Sequence, residues 1–233
     1  MKNRLLLTFY IAAVSVFSWS QRSGIVQKKS LQQNNSAQQV VIKKDNYFKT
    51  VDEFAATFDK ADTLSNELHQ RAFDLYNAKD WKNLEILFTD NKLNGGWPPA
   101  MGGYNITDNV PLKAGMTFDR YSNAIGKFDG NGVPKLGGNF TSPVYNNVSY
   151  TFTQRALNQP QENYDFYYHI TVVKDCPFTA QNATVIPWFN QEGNGQQTMW
   201  KIPVDETSGY PLTWNQLAEQ GYIKITIVDS PSG

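Results

Sequence analysis

The sequence changes character near residue 94, and this change constrains the fold more than any other feature. Before it, apolar residues recur at steps of three and four, as in Leu68, Ala72 and Leu75, which is the period of an amphipathic helix. After it, Gly and Pro become frequent, and short runs of β-prone residues alternate with turns. The clearest runs cover residues 148–153, 164–173 and 223–228. We therefore predict an α+β fold with a small, mostly antiparallel β core and an N-terminal helical layer.

Capping signals place the predicted helices. Thr50 and Glu53 form a capping box, in which both side chains are expected to bond free amides of the first helical turn. Asp80 follows a break in the pattern and is predicted to cap a further helix. The apolar face of that helix consists of Trp81, Leu84, Leu87 and Phe88. Nearer the C-terminus, Thr213 is predicted to open a short helix that ends before Gly221.

The first 20 residues have the pattern of a secretory signal peptide. Lys2 and Arg4 make a positively charged start, residues 5–17 are largely apolar, and residues 18–20 offer a small-x-small cleavage site. The apolar run is shorter than the ~20 residues that a membrane-spanning helix needs. We therefore predict an exported protein, secreted to the extracellular space or the periplasm, with no membrane partner.

The rest of the chain divides into three parts. Residues 21–45 are rich in Gln, Asn, Ser and Lys and lack a sustained apolar period, so we predict a disordered tether. The helical region is assigned to residues 46–93, and a β-rich domain to residues 94–233.

The charge balance excludes some classes of partner. The 21 basic residues are matched by 21 acidic residues, which leaves no basic footprint for nucleic acid or anionic lipid. We therefore expect no nucleic-acid partner. The chain is rich in aromatic residues, with 14 Phe, 12 Tyr and 6 Trp, and those that remain in a cleft would suit a flat, ring-bearing ligand.

Cys176 is the single cysteine, so the chain cannot form an internal disulfide although we predict that it is exported. A nucleophilic thiol is one interpretation. We favour a semi-buried structural residue, because free cysteines are usually buried and inert. The carboxylates Asp205, Glu206 and Asp229 are scattered without a loop motif, so we predict no metal site.

Four short motifs follow one another along the chain. They are Trp97-Pro98-Pro99, Asp119-Arg120-Tyr121, Arg155-Ala156-Leu157 and the glycine-rich segment of residues 188–197. In this order, over residues 94–228, the set resembles the tuberculosis-necrotizing-toxin (TNT) domain, a family of secreted NAD glycohydrolases. Two positions depart from the family pattern. Ser122 stands where the family has a glycine, and Asn194 stands between Gly193 and Gly195 where three glycines are expected.

The resemblance implies catalytic roles for Arg120 and Gln197. An arginine suits the diphosphate of the substrate, because its planar fork matches phosphate oxygens. An amide side chain can hold the ribose hydroxyls without becoming protonated. Gln191 and Gln196 remain alternatives to Gln197, and Gln191 is also a candidate for substrate binding.

The resemblance also implies residues that bind the substrate without reacting with it. Arg155 corresponds to the second substrate-binding arginine of the family, and Phe128 to the aromatic residue that packs against the substrate. Tyr121 belongs to the same candidate set. Trp97 and Trp188 are expected to be mainly structural.

The implied activity is that of an NAD+ or NADP+ glycohydrolase used as a toxin, with the dinucleotide as substrate rather than cofactor. Nicotinamide leaves from a cationic nitrogen and needs no proton, so neither a pair of carboxylates nor a metal or other cofactor is required. An immunity protein is a candidate partner. Two alternatives stay open. One is an ADP-ribosyltransferase, for which Glu192 is the acid near the motif, and the other is a non-catalytic β module that binds carbohydrate or protein.

Overall fold

The computed structural model describes residues 47–58, 65–122 and 136–228. The predicted signal peptide, the predicted tether and Phe128 lie outside the described residues. The described residues all fall within one unit, Lys44–Gly233, which includes both the helical region and the β-rich domain.

Three helices form the N-terminal layer. They are α1 (Val51–Ala55), α2 (Asn66–Ala78) and α3 (Trp81–Asp90). The hydroxyl of Thr50 accepts a hydrogen bond from the amide of Glu53, and the carboxylate of Asp80 accepts one from Asn83, so both predicted N-caps are confirmed. The Glu53 carboxylate accepts from the amide of Lys49, one residue before the cap. No helix in the described part of the chain is long and apolar enough to cross a membrane.

Within the described residues, seven strands form one antiparallel sheet. In chain order they are β1 (Gly103–Pro111), β2 (Thr117–Ser122), β3 (Phe140–Pro143), β4 (Phe166–Val172), β5 (Thr179–Val185), β6 (Gln196–Trp200) and β7 (Ile223–Val228). Across the sheet the order is β1-β5-β6-β3-β2-β4-β7. Helix α4 (Trp214–Glu219) precedes β7 and begins with a capping box at Thr213. The predicted α+β fold is confirmed, and so are the predicted strands that correspond to β4 and β7.

Two clusters rich in aromatic residues form the core. In the first, the helical layer packs against the end of β5 and the loop that follows, where Phe88 meets Trp188 edge to face at 5.6 Å. In the second, the ring of Trp200 lies 5.1 Å from that of Phe118 and 5.0 Å from that of Trp214. Each such ring buries roughly 150–250 Å² of surface. The aromatic residues therefore stabilise a fold that has no internal disulfide.

The predicted strand over residues 148–153 is wrong. The backbone turns at Asn146 and Asn147, which both have positive φ (50° and 63°), and then enters a 3₁₀ turn. Thr151 and Gln154 hold this segment together, because the side chain of each accepts a hydrogen bond from the amide of the other, at 3.3 and 3.0 Å. Local bonds of this kind compete with strand pairing for the same backbone groups.

Candidate active site

A cavity of about 780 Å³ is lined by residues of the helical layer, the loop before β1, strands β2 and β3, and the segments around residues 157 and 188. Four of the predicted site residues line it: Arg120, Tyr121, Arg155 and Gln197. The fold thus brings together residues that are up to 77 positions apart in the chain. The volume lies within the range of roughly 300–1,000 Å³ that is usual for small-molecule sites.

Arg120 lies in β2, directly opposite Tyr168 of β4. Its Nη1 donates a hydrogen bond to the carbonyl oxygen of Phe140 in β3. Its Nε is buried and has no hydrogen-bond partner among the described residues. Burial raises the pKa of Tyr164 on the cavity wall, and the nearby charge of Arg120 opposes that rise. A guanidinium with an unused donor at a cavity wall is suited to bind an anion.

Arg155 ends the 3₁₀ turn Thr153–Arg155 and is buried in an ion pair with Asp119 of β2. Its Nη1 and Nη2 donate to the two carboxylate oxygens of Asp119, the Nη2–Oδ2 distance being 2.9 Å. Its Nε and Nη2 also donate to the carbonyl oxygen of Tyr150, at 3.2 and 2.9 Å. Arg155 therefore reaches the cavity wall with most of its donors already bonded to the protein.

A tyrosine network surrounds this ion pair. The hydroxyl of Tyr167 donates to Asp119 at 2.7 Å and lies 3.0 Å from the hydroxyl of Ser149. Burial, and to a lesser degree the charge of Asp119, raises the pKa of Tyr167 far above its ordinary value, so the phenol stays a donor. The guanidinium carbon of Arg155 lies 5.3 Å from the ring centre of Tyr121, which is itself buried. The ring of Tyr121 thus packs against the guanidinium of Arg155.

The structure distinguishes the two adjacent glutamines of β6. Gln197 lines the cavity, and its Nε2 donates to the carbonyl oxygen of Met101 at 2.9 Å. Its Oε1 accepts no hydrogen bond from the residues that the structure describes, so it is available to a ligand. Gln196 has the opposite orientation, as alternating strand residues do, and accepts a hydrogen bond from the hydroxyl of Tyr145 at 3.0 Å.

Gln191 is near the cavity but is not among the described residues that line it. Its Nε2 donates to the carbonyl oxygen of Leu157 at 2.7 Å, and its Oε1 is buried without a partner in the described part of the chain. Leu157 itself lines the cavity. Gln191 therefore joins two loops and reaches the site through Leu157.

The glycine-rich loop packs against the 3₁₀ turn that carries Arg155. The amide of Gly193 donates to the carbonyl oxygen of Thr153 at 3.1 Å, and that of Gly195 to Gln154 at 3.0 Å. A Cβ atom on Gly195 would lie 2.6 Å from the same Gln154 oxygen, so this contact requires glycine. Asn194 has a φ of 64°, a left-handed conformation that asparagine adopts more readily than most residues, which accounts for its place in the motif.

Two aromatic residues of the cavity wall were not predicted as site residues. Trp97 is 51% exposed, lines the cavity and meets Phe189 edge to face at 5.2 Å. Phe189 has a φ of 53°, which is rare for an aromatic residue, and its amide donates to the carboxylate of Glu85 in α3 at 2.8 Å. Trp188 is buried and donates to the carbonyl oxygen of Gly96.

Residues 111–225 match the sequence model of the tuberculosis necrotizing toxin (TNT) family. These residues therefore form a TNT-family segment of the chain. The matched segment includes Arg120, Arg155 and Gln197, which all line the cavity. It begins after Trp97, so residues outside the TNT segment complete the aromatic wall.

A solved structure with similarity to this chain is described as the atomic structure of tuberculosis necrotizing toxin (TNT) complexed with its immunity factor IFT. The two chains share 16% sequence identity, with a TM-score of 0.39 over 55% of this chain and 60% of that chain. The chain therefore spans about 60% of the length of that toxin chain. No curated protein sequence matches the chain.

Proposed function

We propose that this TNT-family protein is a secreted NAD+ or NADP+ glycohydrolase. It hydrolyses the bond between nicotinamide and ribose, so that the hydroxyl of a water molecule is added to C1′ of the ribose and its second proton is released. The products are nicotinamide and ADP-ribose, or its 2′-phosphate from NADP+. The nicotinamide takes the electron pair of the broken bond and leaves as a neutral ring.

The observation that carries this proposal is the position of Arg120 and Gln197 on the wall of one cavity whose lining also includes seven aromatic residues. The substrate has the matching parts, with two flat rings joined through a negatively charged diphosphate. Aromatic side chains stack on the rings, and a guanidinium with an unused donor pairs with phosphate oxygens.

Each residue has a task that follows from its contacts. Arg120 pairs with the diphosphate, since its side chain lines the cavity and Phe140 occupies only Nη1 of the guanidinium. The Oε1 of Gln197 accepts a hydrogen bond from a ribose hydroxyl, while its Nε2 stays on Met101 and fixes the amide orientation. Positive charge grows on the ribose as nicotinamide leaves, and the Gln197 contact strengthens with it.

The alternative of ADP-ribosyl transfer has less support. A transferase needs a carboxylate that activates the acceptor. The candidate, Glu192, is exposed and is not among the described residues that line the cavity. A non-catalytic β module would leave the cavity unused.

The purified protein incubated with NAD+, and separately with NADP+, tests the proposal when nicotinamide is measured by chromatography. Arg120→Ala should lower the rate tens- to hundreds-fold, because a lost transition-state contact of this kind costs ~2–4 kcal/mol. Arg71→Ala, which removes an exposed arginine of α2, is the matched control and should have no effect. Absence of nicotinamide with the unchanged protein would exclude the activity, and labelled protein formed from labelled NAD+ would indicate a transferase.

We further propose that the enzyme is exported as a toxin and that the producing cell makes an immunity protein against it. An enzyme that consumes NAD+ harms its own cell before export, so a tight inhibitor would be needed there. Fusion of residues 1–20 to a reporter tests export, and co-expression with any small open reading frame found next to the gene tests inhibition of NAD+ cleavage.

A further inference from the structure

Arg155 is predicted to bind substrate, but in its ion pair with Asp119 most of its hydrogen-bond donors are already bonded within the protein. Asp119 is 0% exposed and Arg155 is 7% exposed. Of the five N–H groups of the Arg155 guanidinium, four donate within the protein, two to Asp119 and two to the carbonyl oxygen of Tyr150. The carboxylate also neutralises the positive charge. One remaining N–H and no net charge make a weak site for a diphosphate.

The pair connects two parts of the structure that carry the other site residues. Asp119 immediately precedes Arg120 in β2. Arg155 belongs to the 3₁₀ turn whose carbonyl oxygens accept the amides of Gly193 and Gly195. Gly195 is two residues before Gln197. A continuous set of bonds therefore runs from Arg120 through the ion pair to the loop that leads to Gln197.

We propose that Arg155 is a positioning residue, which together with Asp119 holds Arg120 and Gln197 at a fixed separation and does not bind the diphosphate itself. This inference rests on the proposed glycohydrolase function. Tyr167 reinforces the arrangement, because it gives the same carboxylate a third donor at 2.7 Å. The diphosphate then pairs with Arg120.

The two roles of Arg155 predict opposite effects for Asp119→Asn. If Arg155 positions other residues, loss of the charged carboxylate loosens the connection, so kcat should fall tenfold or more while KM changes less than threefold. If Arg155 binds the diphosphate, the same change frees its guanidinium and adds net positive charge to the cavity. ADP-ribose, measured by calorimetry, should then bind more tightly, with kcat kept, and this result would overturn the inference.

Arg155→Lys gives a second comparison. A lysine keeps the positive charge and can serve a phosphate as a point charge, but it cannot bond both oxygens of Asp119 and the carbonyl oxygen of Tyr150 at once. The positioning role predicts that Arg155→Lys is as impaired in kcat as Asp119→Asn. Full kcat with only a raised KM would contradict it.

Hydrogen exchange gives a readout that does not depend on the reaction. In Asp119→Asn, the amides of Gly193 and Gly195 should exchange at least tenfold faster, whereas those of β4 and β7 should keep their protection. Asp175→Asn is the matched control, because it removes the partner of an exposed pair with Lys113. Unchanged exchange at both glycines would overturn the inference even if the protein cleaves NAD+. An unchanged protein that does not cleave NAD+ would instead overturn the proposed function.

If Asp119→Asn does not fold, the double variant Asp119→Leu/Arg155→Met replaces both charges with apolar side chains, a change that buried ion pairs often tolerate. The same exchange and kinetic measurements then apply. Full kcat and protected glycine amides in this variant would show that the pair positions nothing.

Discussion

The guanidinium of Arg120 lies directly against Gly138, so that a Cβ atom on this glycine would be 2.6 Å from Arg120 Nη2. Gly138 has a φ of 90°, and two residues later the Phe140 carbonyl oxygen accepts a hydrogen bond from Arg120 Nη1. The backbone of this segment therefore bounds the guanidinium on one side. Arg120 can take this position because residue 138 is a glycine and has no side chain.

We predict that Gly138→Ala lowers NAD+ cleavage at least tenfold. The added methyl group displaces the end of the Arg120 side chain, which is flexible enough to move, so the fold should survive. The left-handed backbone adds a strain of roughly 1–2 kcal/mol. Gly115→Ala is the matched control, because Gly115 has nearly the same φ, 91°, and no atom within 4 Å of the added Cβ. Equal activity of the two variants would show that the contact with Arg120 does not matter.

We predict that Gln197→Ala lowers kcat and kcat/KM together, by roughly 100-fold, with KM little changed. The reason is that its Oε1 should bond the ribose most strongly in the transition state. Steady-state kinetics of nicotinamide release measures this directly.

Gln196→Ala and Gln191→Ala are the comparisons for Gln197. Gln196 bonds Tyr145 and should be neutral, whereas Gln191 bonds Leu157 and should affect stability more than turnover. An inactive Gln191→Ala beside a normal Gln197→Ala would move the catalytic amide to Gln191. The proposed reaction would survive that outcome.

Signals that lie within a few residues of one another predicted the fold well. The caps at Thr50, Asp80 and Thr213 are decided by groups three residues away, and all three are confirmed. The predicted strand over residues 148–153 failed because the turn at Asn146-Asn147 and the bonds between Thr151 and Gln154 outweigh the β-prone composition.

The site was less accessible to prediction, because its geometry depends on contacts that are distant in sequence. Asp119 and Arg155 are 36 residues apart, and nothing in either motif indicates that they pair. Phe189 faces the cavity with an unusual backbone that is bonded to Glu85, 104 residues earlier. The motifs identified which residues gather at the cavity, but not which of them bond each other.

We predict that Cys176 is unreactive and dispensable. Burial, followed by the charge of Asp175, raises the pKa of the Cys176 thiol to about 11. With this pKa, only about 0.1% of the Cys176 side chain is ionised at pH 8, and the thiolate is the form that reacts as a nucleophile. Alkylation by iodoacetamide should therefore be slow at pH 8 and should accelerate until the pH approaches 11. Cys176→Ser should cleave NAD+ at the normal rate, and loss of turnover at unchanged Tm would instead indicate a catalytic thiol.

We predict that Trp97 stacks on one ring of the dinucleotide and contributes to binding rather than to turnover. Trp188, Trp200 and Trp214 are at most 1% exposed, whereas Trp97 is 51% exposed at the cavity. Its fluorescence should therefore respond to ADP-ribose, which carries the adenine ring but no nicotinamide. Loss of a stacked base costs ~1–3 kcal/mol, so Trp97→Ala should raise KM about tenfold or more with kcat nearly kept.

Trp97→Phe is the control for this prediction, because it keeps a flat ring beside Phe189 and should retain most of the affinity while abolishing the fluorescence response. A response to nicotinamide alone, and none to ADP-ribose, would place the other end of the substrate at Trp97. A normal KM in Trp97→Ala would mean that this wall does not contact the substrate. The aromatic surface would then lie outside the path of the dinucleotide, and stacking would have to come from another aromatic residue of the cavity wall, such as Tyr164.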